Sequence, residues 1–111
     1  LESPIVEGKL GDGERMVRLI NDGGVPIQAR IVDESLAPAL PGTLVVPPGG
    51  TGEFYVPAGI YMVRYRNGTS CAVHRGAKLL LTGNRAGVEI AIKPRFEQGQ
   101  RSNMRKVEEP L

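Results

Sequence analysis

Tryptophan is absent from this 111-residue chain, and cysteine and histidine occur once each, as Cys71 and His74. Each shortage closes off a class of chemistry. One cysteine excludes an internal disulfide. One histidine and one cysteine cannot supply the two histidines, cysteine and methionine of a blue-copper centre, nor the ligand set of a zinc site. A Cys–His nucleophile pair needs thiolate and imidazole within hydrogen-bond reach, and residues 71 and 74 on one extended strand point to opposite faces. Cys71 is therefore read as a small buried apolar residue and His74 as an exposed strand residue. Adjacent carboxylates occur as Asp33-Glu34 and Glu108-Glu109, in a loop and a tail where nothing separates their pKa values, so acid–base work has no evident seat. The chain is expected not to be an enzyme, with no catalytic residue, metal or cofactor.

Aromatic residues are also few, at 5%. A carbohydrate-binding platform of exposed rings is therefore not expected, and the core must be built from Val, Ile, Leu and Ala. No apolar run approaches the roughly 20 residues that span a bilayer, so no transmembrane segment is expected. No apolar i, i+3, i+4, i+7 pattern persists, so no substantial helix is expected either. The chain begins at Leu1 rather than Met and reads as a piece of a longer protein. A leader or anchor upstream would not be visible, and the compartment stays open, with periplasm or cell surface favoured.

What the chain does have is 15 glycines and 9 prolines, scattered between short apolar runs without a period. That pattern marks many turns between short strands. The run Ile5 to Leu10, closed by Gly11-Asp12-Gly13, is expected to pair as a hairpin with the run Arg15 to Ile20. From Val25 to Val32, Val25, Ile27, Ala29 and Ile31 alternate with Pro26, Gln28 and Arg30, a half-buried strand. Residues 33–43 read as a surface loop, and Thr43 to Val46 and Thr51 to Val56 as strands separated by Pro47-Pro48-Gly49-Gly50. After Pro57-Ala58-Gly59, the strand Ile60 to Arg66 should face Tyr61, Val63 and Tyr65 inward and Met62, Arg64 and Arg66 outward. Asn67-Gly68 is a hairpin-type turn; with Thr69 it matches a glycosylation sequon, but the turn alone explains it. Thr69 to His74 follows as a strand. The three leucines of Lys78 to Thr82 form a buried strand, or continue the preceding one past a bulge. Val88 to Lys93 is the cleanest alternation in the chain.

About seven or eight short strands with a turn every 8 to 12 residues predict an all-β, antiparallel β-sandwich, with a small β-barrel as the alternative. Residues 1–95 form one domain and 96–111 a polar C-terminal tail that frays or docks by Phe96.

Charge divides the chain. Residues 1–60 hold four basic and eight acidic groups, whereas residues 61–95 hold seven basic groups against Glu89 alone. Arginines outnumber lysines ten to four, which suits planar, bidentate contact with carboxylate or phosphate. The plainer reading is that acidic and basic strands neutralise one another. The functional reading is a basic face, with Met62, Arg64, Arg66, Arg75 and Arg85 as its candidate residues. Nucleic acid is not expected there, because no aromatics interleave the basic positions as stacking platforms. The glycine-rich stretches at 49–52 and 83–87 lack the lysine and helix of a phosphate loop and read as strand connectors.

The motifs Val46-Pro47-Pro48-Gly49-Gly50-Thr51 and Val56-Pro57-Ala58-Gly59-Ile60-Tyr61-Met62-Val63-Arg64-Tyr65, with Leu19-Ile20-Asn21-Asp22-Gly23-Gly24-Val25-Pro26-Ile27 upstream, resemble turns of bacterial Ig-like and transthyretin-like modules. The likeness spans roughly residues 15–93. It implies a non-catalytic accessory domain of a bacterial envelope or surface protein, used for assembly or partner contact, and it carries over no functional residue. The expected function is thus protein–protein interaction, with a partner of acidic character or a second copy. The alternative is a binding domain for a small anionic ligand, glycan or lipid head group, held by loops such as 83–87.

Overall fold

Alternation of apolar and polar residues gives each strand a wet side and a core side. The computed structural model of the chain carries that alternation through the residues it describes, 5–68, 72–92 and 105–107. In chain order the strands are β1 (Ile5–Glu7), β2 (Lys9–Gly11), β3 (Arg15–Asn21), β4 (Ile27–Asp33), β5 (Thr43–Val46), β6 (Thr51–Val56), β7 (Gly59–Asn67), β8 (Val73–Arg75), β9 (Leu79–Leu81), β10 (Gly87–Ile92) and β11 (Arg105–Val107). They form two sheets. The larger runs β1-β5-β4-β7-β8-β11, with β9 also on β7, and the smaller runs β10-β3-β6-β2. The protein is all-β, with no helix among the described residues.

One core serves both sheets. Val17, Leu19, Phe54, Val56 and Ile92 of the smaller sheet join Ile27, Ala29, Ile31, Leu44, Val46, Val63 and Leu81 of the larger in a single buried cluster. The chain crosses from the smaller sheet to the larger between β3 and β4 and again between β6 and β7. Asn21 pins the first crossing. It is fully buried, donates from Nδ2 to the carbonyls of Val25 (2.8 Å) and Val46 (3.0 Å), and accepts from the Gly23 amide (2.9 Å). At the second crossing the Tyr61 hydroxyl donates back to the Pro57 carbonyl at 2.8 Å. Gly52 lets the sheets approach: a Cβ there would lie 2.9 Å from Leu44 Cδ2 and 3.0 Å from Val46 Cγ2.

Several expectations change. The run Ile5 to Leu10 does not form a hairpin with Arg15 to Ile20. Gly8, at φ 87°, splits it into β1 and β2, which lie parallel to β5 and β6 on the same side of the two sheets. Pairing with β3 is closed to it, because β6 and β10 occupy both edges of β3. β10 also runs parallel to β3, so the sheets are mixed rather than wholly antiparallel. The eleven strands among the described residues exceed the expected seven or eight partly because of such splits. The second split is a bulge. Arg75 stands opposite Arg64 and Leu79 opposite Tyr61, so residues 76–78 face only Met62 and Val63 on β7. The leucine run thus continues the preceding strand past a bulge, with Leu81 buried and Leu80 exposed. Because one extra residue reverses the faces, His74 lies on the core side of β8. It is half-buried and stacks on the Tyr65 ring, with centroids 4.8 Å apart, rather than standing exposed. Within the expected polar tail, residues 105–107 form β11 against β8. Cys71, Thr69 and Phe96 lie outside the described residues.

Candidate functional site

The odd residues of β7 point inward as expected: Tyr61, Val63 and Tyr65 are buried, and Met62, Arg64 and Arg66 take the outer face. Burial pushes the Tyr65 hydroxyl up to about 12, and burial, followed by the Asp33 charge, raises Tyr61. Both phenols are therefore neutral packing groups at ordinary pH.

Register decides what joins the outer residues of β7. Arg64 stands opposite Arg30 of β4 on one side and Arg75 of β8 on the other, and Arg75 in turn opposite Arg105 of β11. Three consecutive strands of the larger sheet, β4, β7 and β8, thus carry arginine in one cross-strand row. Adjacent strands lie about 4.8 Å apart, so Arg30 and Arg75 are separated by roughly 10 Å. The next row along the strands reads Glu7, Val45, Gln28, Arg66 and Val73. At the β1 end the arginine row closes with Thr43 and Ile5. Arg30 Nε donates to Thr43 Oγ1 at 3.0 Å, which holds the guanidinium stem across the buried threonine.

These arginines are half-buried, and the Nε atoms of Arg64, Arg66 and Arg75 are shielded from solvent. Long basic side chains commonly lay their stems on a protein surface in this way, keeping the charged head in water. The terminal nitrogens are the part of each fork that suits a carboxylate or phosphate.

Met62, Arg64, Arg66 and Arg75 are therefore brought together, with Met62 beside Val32 at the edge of the patch. Arg85 is not among them. It lies in the loop between β9 and β10, whose carbonyls at Arg85 and Gly83 accept hydrogen bonds from the Arg15 guanidinium at 2.9 and 3.1 Å. Arg85 thus belongs to the margin of the smaller sheet. Arg30 is the residue that reading the sequence for this face misses. Its parity on β4 marks it as outward, but its place beside Arg64 depends on a pairing register that parity does not reveal.

The smaller sheet presents a different outer row: Glu89, Arg18, Glu53 and Lys9 on successive strands. Arg18 Nε bonds Glu53 at 3.0 Å, and Arg18 Nη1 bonds Glu89 at 2.8 Å. The Tyr55 hydroxyl donates to Glu53 at 2.6 Å. That bond first, and Arg18 second, hold the Glu53 carboxyl below the usual carboxylate range. Arg18 is raised by the same two glutamates.

No family model matches the chain, no curated protein matches it in sequence, and no solved structure matches it in fold.

Proposed function

We propose that this chain is a non-catalytic interaction module, an Ig-like β-sandwich that docks an acidic protein surface through the outer face of its larger sheet. The observation that carries this reading is the cross-strand row Arg30, Arg64, Arg75, flanked by Arg66. Basic groups gathered on one face raise the local concentration of an acidic partner and speed its approach. The scaffold reading draws support from β3 and β6 at the centre of one sheet, β4 and β7 at the centre of the other, and two crossings between them. It also draws support from the Tyr61–Pro57 bond at the corner leading into β7, which is the geometry of a tyrosine corner. The setting belongs to the same proposal: a larger bacterial, envelope-associated protein in which this domain serves assembly.

The test is capture of partners on the immobilised domain at low and high salt. The wild type should retain acidic proteins in a salt-sensitive way, and the double variant Arg64→Glu/Arg66→Glu, folded by circular dichroism, should lose them. Equal capture by both would refute the arginine face. A thermal-shift screen with small anions separates the alternative: a specific rise with one of them, persisting in the double variant, would favour a small-ligand site in the 83–87 loop.

A further inference from the structure

The edges of the two sheets are not protected alike. Unpaired N–H and C=O groups along an edge are a template for another strand, and folds commonly blunt them with short strands, lysine or proline. The edge strands β1, β2 and β11 are three residues each, and β2 carries Lys9. The fourth, β10, has six residues, Gly87-Val88-Glu89-Ile90-Ala91-Ile92, with neither proline nor lysine among them. It pairs in parallel with β3, and no described strand takes its other side. The Ala86 and Ile92 carbonyls accept from the Met16 and Asp22 amides at 3.0 and 2.9 Å, so the even-numbered residues turn their backbone groups toward β3. Because direction alternates along a strand, Glu89 and Ala91 aim their N–H and C=O groups at the open edge. On the core side, Val88 and Ile90 pack against the buried cluster yet are only half covered.

From these observations we infer that β10 pairs antiparallel with β10 of a second copy of this chain about a two-fold axis, joining two four-stranded sheets into one of eight strands. An axis perpendicular to the sheet keeps both core faces on one side, so residues of like parity stand opposite one another. Centring the pair on Glu89 would put like charges directly opposite, which is destabilising. Centring it on Val88 or Ala91 would shorten the overlap of the two strands to three residues. Centring it on Ile90 pairs residues 88–92 throughout and sets Glu89 opposite Ala91 of the second copy. Each such pair exchanges two backbone hydrogen bonds. On the core side Val88 meets Ile92 and Ile90 meets its own counterpart, which extends the cover over the two half-exposed residues. Glu89 keeps its 2.8 Å bond from Arg18 of its own chain. The strand is thus complementary to itself, and an isologous pairing closes without leaving a β10 edge to grow. The same axis turns the outer faces of both larger sheets in one direction, so the dimer presents the arginine face twice. The dimer itself does not depend on the acidic-partner reading.

Sedimentation equilibrium of the chain from micromolar to millimolar concentration tests the inference. The wild type should associate to a dimer and no further. Ala91→Pro removes a donor that β3 does not use, a substitution that edge strands accept; it should stay folded by circular dichroism and be monomeric. Two charge variants test the register. Ala91→Glu sets an acid opposite Glu89 twice in each dimer and should weaken association at least tenfold. Ala91→Lys sets a base there and should associate at least as tightly as the wild type. A wild type that is monomeric throughout would overturn the inference, as would a folded Ala91→Pro that dimerises like the wild type. Equal weakening by Ala91→Glu and Ala91→Lys would overturn the Ile90-centred pairing. Capture of a foreign chain by a monomeric wild type, lost in Ala91→Pro, would assign the edge to another protein and overturn the dimer. Arg64→Glu/Arg66→Glu should dimerise as the wild type does, so failure of the arginine face and failure of the dimer are read separately.

Discussion

The outer faces of the two sheets handle charge in opposite ways. Across the smaller sheet the row Glu89, Arg18, Glu53, Lys9 alternates in sign, and Arg18 bridges its two acidic neighbours. Across the larger sheet the corresponding row places arginine beside arginine on three consecutive strands. Both rows are built on half-buried strands whose inner residues share one core, so the difference does not come from the scaffold. Alternation pairs opposite charges within the smaller sheet, whereas the larger sheet gathers one sign of charge on its outer face.

The comparison can be broken most severely at the crossing that holds the sheets together. Asn21→Ala would leave the Val25 and Val46 carbonyls and the Gly23 amide without their side-chain partner. Each buried polar group so orphaned costs on the order of 1–3 kcal/mol. Urea denaturation should therefore show a loss of about 3 kcal/mol, and partner binding should fall with it.

Next comes exchange of charge between the faces. Glu53→Lys removes the acidic residue between Arg18 and Lys9 and should lower the urea midpoint. Arg64→Glu instead places an acid between Arg30 and Arg75 and should abolish salt-sensitive partner binding. If Arg64→Glu left partner binding intact, the contrast between the faces would have no functional basis.

Acidification gives a smaller effect with a definite sign. The folded pKa of Glu53 lies below its ordinary value of 4.5, through Tyr55 and Arg18, and that of Asp33 lies below 3.8, through Ser35 and Ala37. A carboxyl with a depressed folded pKa contributes stability that is present above its unfolded pKa and lost as the pH falls through the folded one. Stability should thus decline below about pH 4.5, and Glu53→Gln should flatten the upper part of that decline.

Much of the fold was legible in the sequence because strand parity is local. Ile27, Ala29 and Ile31 alternate inward, and so do Tyr61, Val63 and Tyr65, with Arg64 and Arg66 outside. The loop at 34–42 and the turns at 47–50 and 57–58 follow from proline and glycine. What stayed hidden was pairing. Parity tells which face a residue takes but not which strand lies beside it, and neighbours here come from distant segments, in parallel as well as antiparallel register. Hence the Ile5 to Leu10 run turned out to be two strands on two sheets, and Arg30 turned out to stand beside Arg64. The bulge at 76–78 was visible only as an alternative reading of the leucine run, and it reversed the face assigned to His74.

The central claim is that the outer face of the larger sheet is the one that binds, and partner capture by Arg64→Glu at low ionic strength tests it most directly. The variant, folded by circular dichroism, should lose the acidic proteins that the wild type retains in a salt-sensitive way, whereas Glu53→Gln on the smaller sheet should keep them. Capture by Arg64→Glu equal to that of the wild type would contradict the account.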